Sequence, residues 1–287
     1  MLECGKRFLN LNRPSVMGIL NVTPDSFSDG GLYRHRDQAV AQAWRMVEAG
    51  ADIIDIGGES TRPGASPVPV QEELERVVPV VEALAPQCDR VISVDTSAPE
   101  VMRAAVAAGA GMINDVRALR RPGAMEAAVQ CAVPVVLMHS HVDPTDSAPP
   151  SGGCIMERIL SYLSVRLAAC VEQGIPRSSL LLDPGFGGGM FGKSPADNLD
   201  ILRRFGDLHQ LGQPLLAGVS RKSFLSHLGG RAATAPLATS LACALLLVQA
   251  GAQVVRVHDV QETVDALRLQ QTVADAPAVT PVTRSDS

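Results

Sequence analysis

A closed barrel of eight parallel strands, each followed by a helix, is the fold class this sequence predicts, and three observations predict it. Short Val/Ile/Leu-rich runs alternate eight times with longer segments of helical spacing. The runs are continuously apolar, as parallel strands covered on both faces are. No composition break interrupts the 287 residues, 46% of them hydrophobic, so the alternations belong to one domain with a large core. An open doubly wound sheet is the alternative. It would leave edges to protect and would usually place a Gly-rich turn after the first strand, which is missing after Val22.

In chain order the expected strands are 16–22, 52–56, 90–95, 111–115, 134–139, 179–183, 215–219 and 254–258. Helices are expected at about 37–50, 71–86, 98–109, 122–131, 154–173, 195–206, 234–250 and 260–270. Asp37 and Ser194 are placed as N-caps, the latter before Pro195 at a first helical position. Gly50, Gly109, Gly174 and Gly251 fall where left-handed C-caps sit, so the recurrent Ala-Gly-Ala reads as helix-to-strand punctuation. The barrel, a (β/α)8 or TIM barrel, is expected over residues 1–271, with 272–287 a disordered tail and 140–153 a long surface connection.

The formal charge of −5 comes without acidic or basic blocks, which recommends neither nucleic acid nor a membrane surface as partner. The six cysteines are scattered, with no C-x-x-C pair, as in a reduced cytoplasmic protein. No secretory leader pattern and no apolar run of the ~18 residues a membrane span needs are present, so a soluble protein is expected.

A barrel places its chemistry at the carboxyl ends of its strands. Those ends carry Asn21 before a loop with Asp25, Phe27 and Asp29; Gly57-Gly58-Glu59-Ser60-Thr61-Arg62-Pro63-Gly64; Asp95-Thr96-Ser97; Asn114-Asp115; His139; Asp183-Pro184-Gly185-Phe186-Gly187; and Arg256 with His258 on one face. At the seventh end an apolar run gives way to Ser220-Arg221-Lys222-Ser223 and a helical pattern, where free N–H groups and the helix dipole favour an anion. Taken singly each has a plainer role: Asp95 and Asp183 as turn residues, Asn114 as a turn cap, His139 as a hydrogen-bonded core histidine. Taken together they would bury charge without reason unless a polar ligand met them.

The set divides in two. Carboxylates with an asparagine suit a flat heterocycle, because a carboxylate accepts two parallel N–H bonds from an N–C–NH2 edge. Thr61, Arg62, Arg221, Arg256 and His258 form a cationic half that suits a diphosphate, with Asn21 as a neutral oxygen ligand for Mg2+. A diphosphate beside a heterocycle suggests a leaving group.

These motifs resemble the dihydropteroate synthase family. The matching stretches are MGILNVTPDSFSDGG (17–31), ADIIDIGGESTRPGA (51–65), ISVDTSAPEV (92–101), INDVRAL (113–119), LMH (137–139), LLLDPGFG (180–187), SRKSFL (220–225) and VRVHDV (255–260), in the family's order. The resemblance implies a TIM barrel, usually dimeric, joining a pterin diphosphate to p-aminobenzoate in folate biosynthesis, and a sulfonamide target. It implies that Asn21 binds Mg2+ and diphosphate, with Thr61, Arg62, Arg256 and His258 completing that pocket. Asp95, Asn114, Asp183 and Lys222 would hold the pterin; Ser223 would receive the acceptor carboxylate, with Phe186, Lys222 and Pro63 flanking its ring. The first loop, with Asp25, Phe27 and Asp29, and the 60–64 loop would close over the site, and loop carboxylates near a cationic pterin methylene would stabilise charge developed only in the transition state. Asn21, Asp25, Asp29, Lys222 and Arg256 are the expected catalytic set.

Two departures concern the acceptor side. Gly188-Gly189-Met190-Phe191 precede Gly192-Lys193, about three residues more than the family commonly has, and Ser140-His141-Val142 replaces the usual Met-Gln-Gly after the strand-five histidine. Two other functions remain open from sequence. A pterin-binding methyltransferase barrel would share Asp95, Asn114 and Asp183 but has no use for Thr61-Arg62 or Arg256-x-His258; a non-catalytic pterin-binding homologue would keep the pocket without turnover.

Overall fold

The structure, a computed structural model, describes residues 1–23, 32–59, 68–140, 153–188, 191–225 and 237–276. A small antiparallel hairpin, β1 (Leu2–Cys4) and β2 (Arg7–Leu9), precedes the barrel strands β3 (Ser15–Asn21), β4 (Ile53–Gly57), β5 (Val91–Asp95), β6 (Met112–Asp115), β7 (Val135–Met138), β8 (Leu180–Asp183), β9 (Leu216–Ala217) and β10 (Val254–Val257). The helices between them are α1 (Leu32–Glu48), α2 (Val70–Leu84), α3 (Pro99–Ala108), α4 (Ala124–Cys131), α5 (Ile155–Glu172), α6 (Pro195–Arg204), α7 (Leu237–Gln249) and α8 (Val260–Asp275). All barrel pairings are parallel, and β10 pairs with β3, so the last strand meets the first. A parallel bridge between Leu182 and Leu215 joins β8 to the entry of β9 and closes the ring. The expected barrel is the observed one.

Period-two alternation explains how the strands serve two cores at once. Val16, Leu20, Ile54, Ile56, Ile92, Val94, Ile113 and Val135 face outward and pack under the helices. Met17, Ile53, Val91, Met112, Val136, Leu181, Leu216 and Val254 face inward and form an apolar floor. Two residues further along, the inward side turns polar: Asp55, Ser93, Asn114, Asp183 and Arg256 share the parity of that floor.

The hairpin seals the floor from below. Leu2, Cys4 and Leu9 join the inward apolar cluster, while Arg7 reaches outward to the last carbonyls of two helices, donating to Ala85 at 2.8 Å, Cys88 at 2.9 Å and Gly109 at 3.2 Å. This element escapes a sequence reading because each strand has only three residues and no apolar run.

Two boundary readings change. Asp37 is not an N-cap: α1 begins at Leu32, leaving Asp37 exposed within it and ion-paired with Arg36 at 2.8 Å. The tail starts later than residue 272, because α8 continues to Asp275; residues 277–287 lie outside the described residues. The 140–153 connection is described only at its ends. Ser194 does cap α6, accepting from the Asp197 N–H at 3.1 Å ahead of Pro195, and the four helix-ending glycines all have positive φ. Among the described residues no helix is long and apolar enough to cross a membrane.

Candidate active site

Asp55, Asn114 and Arg256 converge with Asp95 on one ion network at the carboxyl end of the barrel. Arg256 of β10 donates through Nε to Asp55 of β4 at 2.6 Å and through Nη2 to Asp95 of β5 at 2.6 Å. Asn114 of β6 donates through Nδ2 to the same Asp55 oxygen at 3.1 Å. Four strands are thus tied by one guanidinium, two carboxylates and one amide. Burial would lower the Arg256 pKa, but Asp55 and Asp95 outweigh it and hold the guanidinium above its ordinary value. Burial raises Asp95 to about 7; Arg256 opposes this, while the charges of Asp55, Asp115 and Glu73 add to it.

A second group sits beside the first. Asp183 at the end of β8 is buried, accepts from the Gly185 N–H at 2.7 Å, and is pushed up chiefly by desolvation, with Gly185 and Lys222 pulling the other way. Desolvation and then Arg256 lower Lys222 to about 8, with Asp183 and Asp95 offsetting part of this. Its ammonium lies 3.9 Å over the centre of the Phe191 ring, a cation–π contact that replaces part of its lost hydration. Behind it the buried Lys193 donates to the carbonyls of His139 and Phe191, both at 3.2 Å, and so fixes the loop that carries the ring. Asp183 and Asp95 lie close enough to Lys222 for their charges to act on its ammonium. Such a mouth has the chemistry to suit a planar ligand that offers several N–H donors.

Sequence reasoning placed Asp95, Asn114, Asp183 and Lys222 together, and the structure brings them together with Arg256. It places Arg256 with the carboxylates rather than among the cations of an anion pocket. His258 is not a ready cation either: burial, Arg256 and Arg221 lower it to about 4, and its Nδ1 lies 3.1 Å from the Ser220 hydroxyl. Arg221, in the left-handed region at φ 57°, is paired with Asp259 and exposed. Asn21 ends β3, where its Oδ1 and Asp95 Oδ2 would lie 3.9 and 3.8 Å from a side chain placed at Gly57. Ser223 is exposed in the turn after Lys222. Asp25, Phe27, Asp29, Thr61, Arg62 and Pro63 lie outside the described residues.

Phe186 is a correction. Expected beside the acceptor ring, it is 1% exposed and stacked in the core between Phe205 and Phe224, at 6.4 and 6.3 Å. Phe191, from the same glycine-rich loop, holds the position against Lys222 instead. His139 takes its plainer role, buried with Tyr162 edge-on at 5.0 Å. Asp115 is likewise structural: Ser97 Oγ and the N–H groups of Arg117 and Leu119 all donate to it, holding the loop after β6. Asp55 and Lys193 are the site residues sequence reasoning missed. The signal for Asp55 was its parity with Gly57; that for Lys193 was its place after Gly192 at the end of the family's glycine-rich pattern.

The family described as pterin binding enzyme matches residues 17–258. The chain is also 48% identical over 269 residues to the dihydropteroate synthase of Escherichia coli, an alignment covering 93% of this chain and 94% of that one. The chain belongs to the dihydropteroate synthase family. Solved structures of this family superpose on it closely. A Xanthomonas albilineans dihydropteroate synthase with 4-aminobenzoic acid is 53% identical, with a TM-score of 0.89 and 96% and 98% of the two chains covered. The same organism's enzyme in complex with 7,8-dihydropteroate gives 50% identity and a TM-score of 0.85, covering 96% of this chain and 99% of that one. Within the family alignment fall Asp55, Asp95, Asn114, Asp183, Lys222 and Arg256, so the network described above lies inside the matched region.

Proposed function

We propose that this chain condenses 6-hydroxymethyl-7,8-dihydropterin diphosphate with p-aminobenzoate, giving 7,8-dihydropteroate and diphosphate. The observation that carries the reading is the buried set of Asp95, Asn114 and Asp183 facing Arg256 and Lys222 at the barrel mouth. The E. coli relative is named for this reaction, and structures of a close relative hold the acceptor and the product.

Asp95 and Asp183 would accept N–H bonds from the aminopyrimidine edge while Asn114 reads a neighbouring ring position. The bond between the pterin methylene carbon and the diphosphate oxygen breaks with its electron pair leaving on oxygen; the methylene, left cationic, takes the lone pair of the aromatic amine, and that nitrogen then loses a proton to solvent. Carboxylates close to the methylene favour the charge that develops there, and Lys222 and Arg256 favour the departing oxygen. The amine is neutral near pH 7, so this scheme needs no dedicated base. Asn21, Thr61, Arg62 and His258 would complete the diphosphate pocket, and Ser223, Pro63 and the loop residues Asp25, Phe27 and Asp29 the acceptor side and its closure.

Among the described residues no three His, Cys, Asp or Glu side chains cluster to cage a metal. Neutral Asn21, at the end of β3, suits Mg2+ instead, which prefers few protein oxygens and arrives with substrate phosphates. Asn21 would hold it, and the ion would supply neutralisation of the leaving diphosphate.

Purified protein given Mg2+ and both substrates is expected to release diphosphate and form dihydropteroate. Lys222→Ala should lower kcat/KM by about a hundredfold, since it removes a half-buried cation beside Asp183 and the reacting centre. Wild-type turnover in that variant would remove Lys222 from the site. Sulfonamides, as anilines of the acceptor's shape, are expected to compete at the same subsite.

The protein is proposed to act in the reducing cytoplasm, in keeping with six unpaired cysteines, and as a homodimer. Across α7 no residue is charged, yet Leu237 and Leu246 are 40% and 57% exposed, and Leu269 and Val273 of the adjoining α8 are exposed too. Light scattering after gel filtration should give a dimer for wild type and a monomer for Leu246→Asp. A monomeric wild type ends the dimer reading.

A further inference from the structure

Asp55 stands in the middle of β4, fully buried, between the outward-facing Ile54 and Ile56. It belongs to no turn and caps no helix, and charge there has to be matched by something inside the barrel. Its Oδ2 accepts from both Arg256 Nε and Asn114 Nδ2. Its Oδ1 is buried and makes no hydrogen bond among the described residues.

We infer that Asp55 is a positioning residue of the pterin site, one carboxylate on a central strand that sets the guanidinium plane of Arg256 and the amide polarity of Asn114. The inference rests on the reading of this mouth as a pterin pocket. Two chemical facts carry it. An ionised carboxylate can only accept, so Asn114 must turn its NH2 group toward Asp55 and present its carbonyl oxygen on the other side, as an acceptor for a ring N–H. A guanidinium held through Nε has its plane fixed, and Nη2 then falls on Asp95 at 2.6 Å. Asp55 therefore decides which groups on β6 and β10 meet the ligand without meeting it itself. A strand is a suitable mount for this, because its backbone is fixed on both sides, by β3 and β5.

Asp55→Asn keeps the shape but offers an NH2 group as well as an oxygen, so Asn114 can settle with either polarity and Arg256 loses a charged partner. Titration calorimetry with 6-hydroxymethyl-7,8-dihydropterin, the substrate lacking diphosphate, should show binding weakened about tenfold or more, since each lost bond is charge-assisted. Steady-state assays should raise KM for the pterin diphosphate similarly and leave KM for p-aminobenzoate within about twofold. Ser93→Ala, which removes another buried, unpartnered hydroxyl at the register position beside Asp55, should leave pterin affinity unchanged. In the Asn114→Ala background the effect of Asp55→Asn should shrink, because half of what it positions is gone.

Unchanged pterin affinity in folded Asp55→Asn overturns the assignment. So does an equal loss in Ser93→Ala, which would signify general loosening of the interior. If Asp55→Asn is recovered unfolded, Asp55→Glu carries the test: it keeps the charge and displaces the carboxylate by one methylene, and unaltered affinity there is the overturning result. A wild-type protein that binds pterin but forms no dihydropteroate would fail the proposed reaction while leaving the Asp55 comparison intact.

Discussion

Arg256→Ala should abolish measurable turnover and lower stability by about 3–5 kcal/mol, the cost of leaving a buried pair half made. Asp55 is completely buried and Asp95 nearly so, and Arg256 is the only cation hydrogen-bonded to either among the described residues. Urea unfolding at pH 8 reads the stability loss, and diphosphate release reads the activity. The loss should narrow as pH falls. Asp95 lies at about 7 even with Arg256 present, and removing the cation can only raise it further. The folded variant then binds a proton that the unfolded chain releases, so its stability rises from pH 8 toward pH 5. An Arg256→Ala protein with the wild-type unfolding curve would mean that the two carboxylates are compensated elsewhere. Arg256→Lys should fall between, since one ammonium cannot reproduce a fork that spans two strands.

Gly185→Ala is the second severe case, and its cause is backbone geometry rather than charge. Gly185 has φ of 68°, and a methyl group there would come within 2.2 Å of the His139 carbonyl oxygen and 3.2 Å of Met138 Cγ. The oxygen belongs to the end of a barrel strand and cannot move aside. The turn after β8 must shift, and with it goes the 2.7 Å bond from the Gly185 N–H to Asp183. About 2–4 kcal/mol of stability and at least about a hundredfold in kcat/KM should be lost. Gly188→Ala, three residues on, meets among the described residues only the Lys193 carbonyl at 3.6 Å and should be nearly neutral. Comparable melting temperatures for the two variants would refute the steric argument.

What could be read from the sequence and what could not follows from the range of the forces involved. Strand positions are local: an apolar run of parallel-strand type is visible from its own residues. The polar ends of those strands were visible too, because a charge that terminates an apolar run is conspicuous. Asp55 does not terminate anything. Its meaning depends on Arg256, two hundred residues away in the chain, and only closure of the ring brings the two together. Phe186 and Phe191 pose the same difficulty at short range. Both lie in one glycine-rich loop, and no periodicity says which ring turns into the core; the aromatic partners Phe205 and Phe224 decide it. What the sequence cannot supply for His258 is its burial, which together with Arg256 and Arg221 lowers its pKa.

The pairing of β10 with β3 has a kinetic consequence. Ser15 and Val254 are register partners, so the ring cannot shut until nearly the whole chain is available. Before that moment the growing protein exposes an unpaired strand on β3 and an apolar interior lined by Met17 and Ile53. Loop-closure entropy must be met before this contact returns anything, which makes it a slow, late event and leaves the half-made sheet prone to association with itself. On the ribosome, chains halted before residue 254 should therefore depend on chaperones, whereas chains extended past α8 should not.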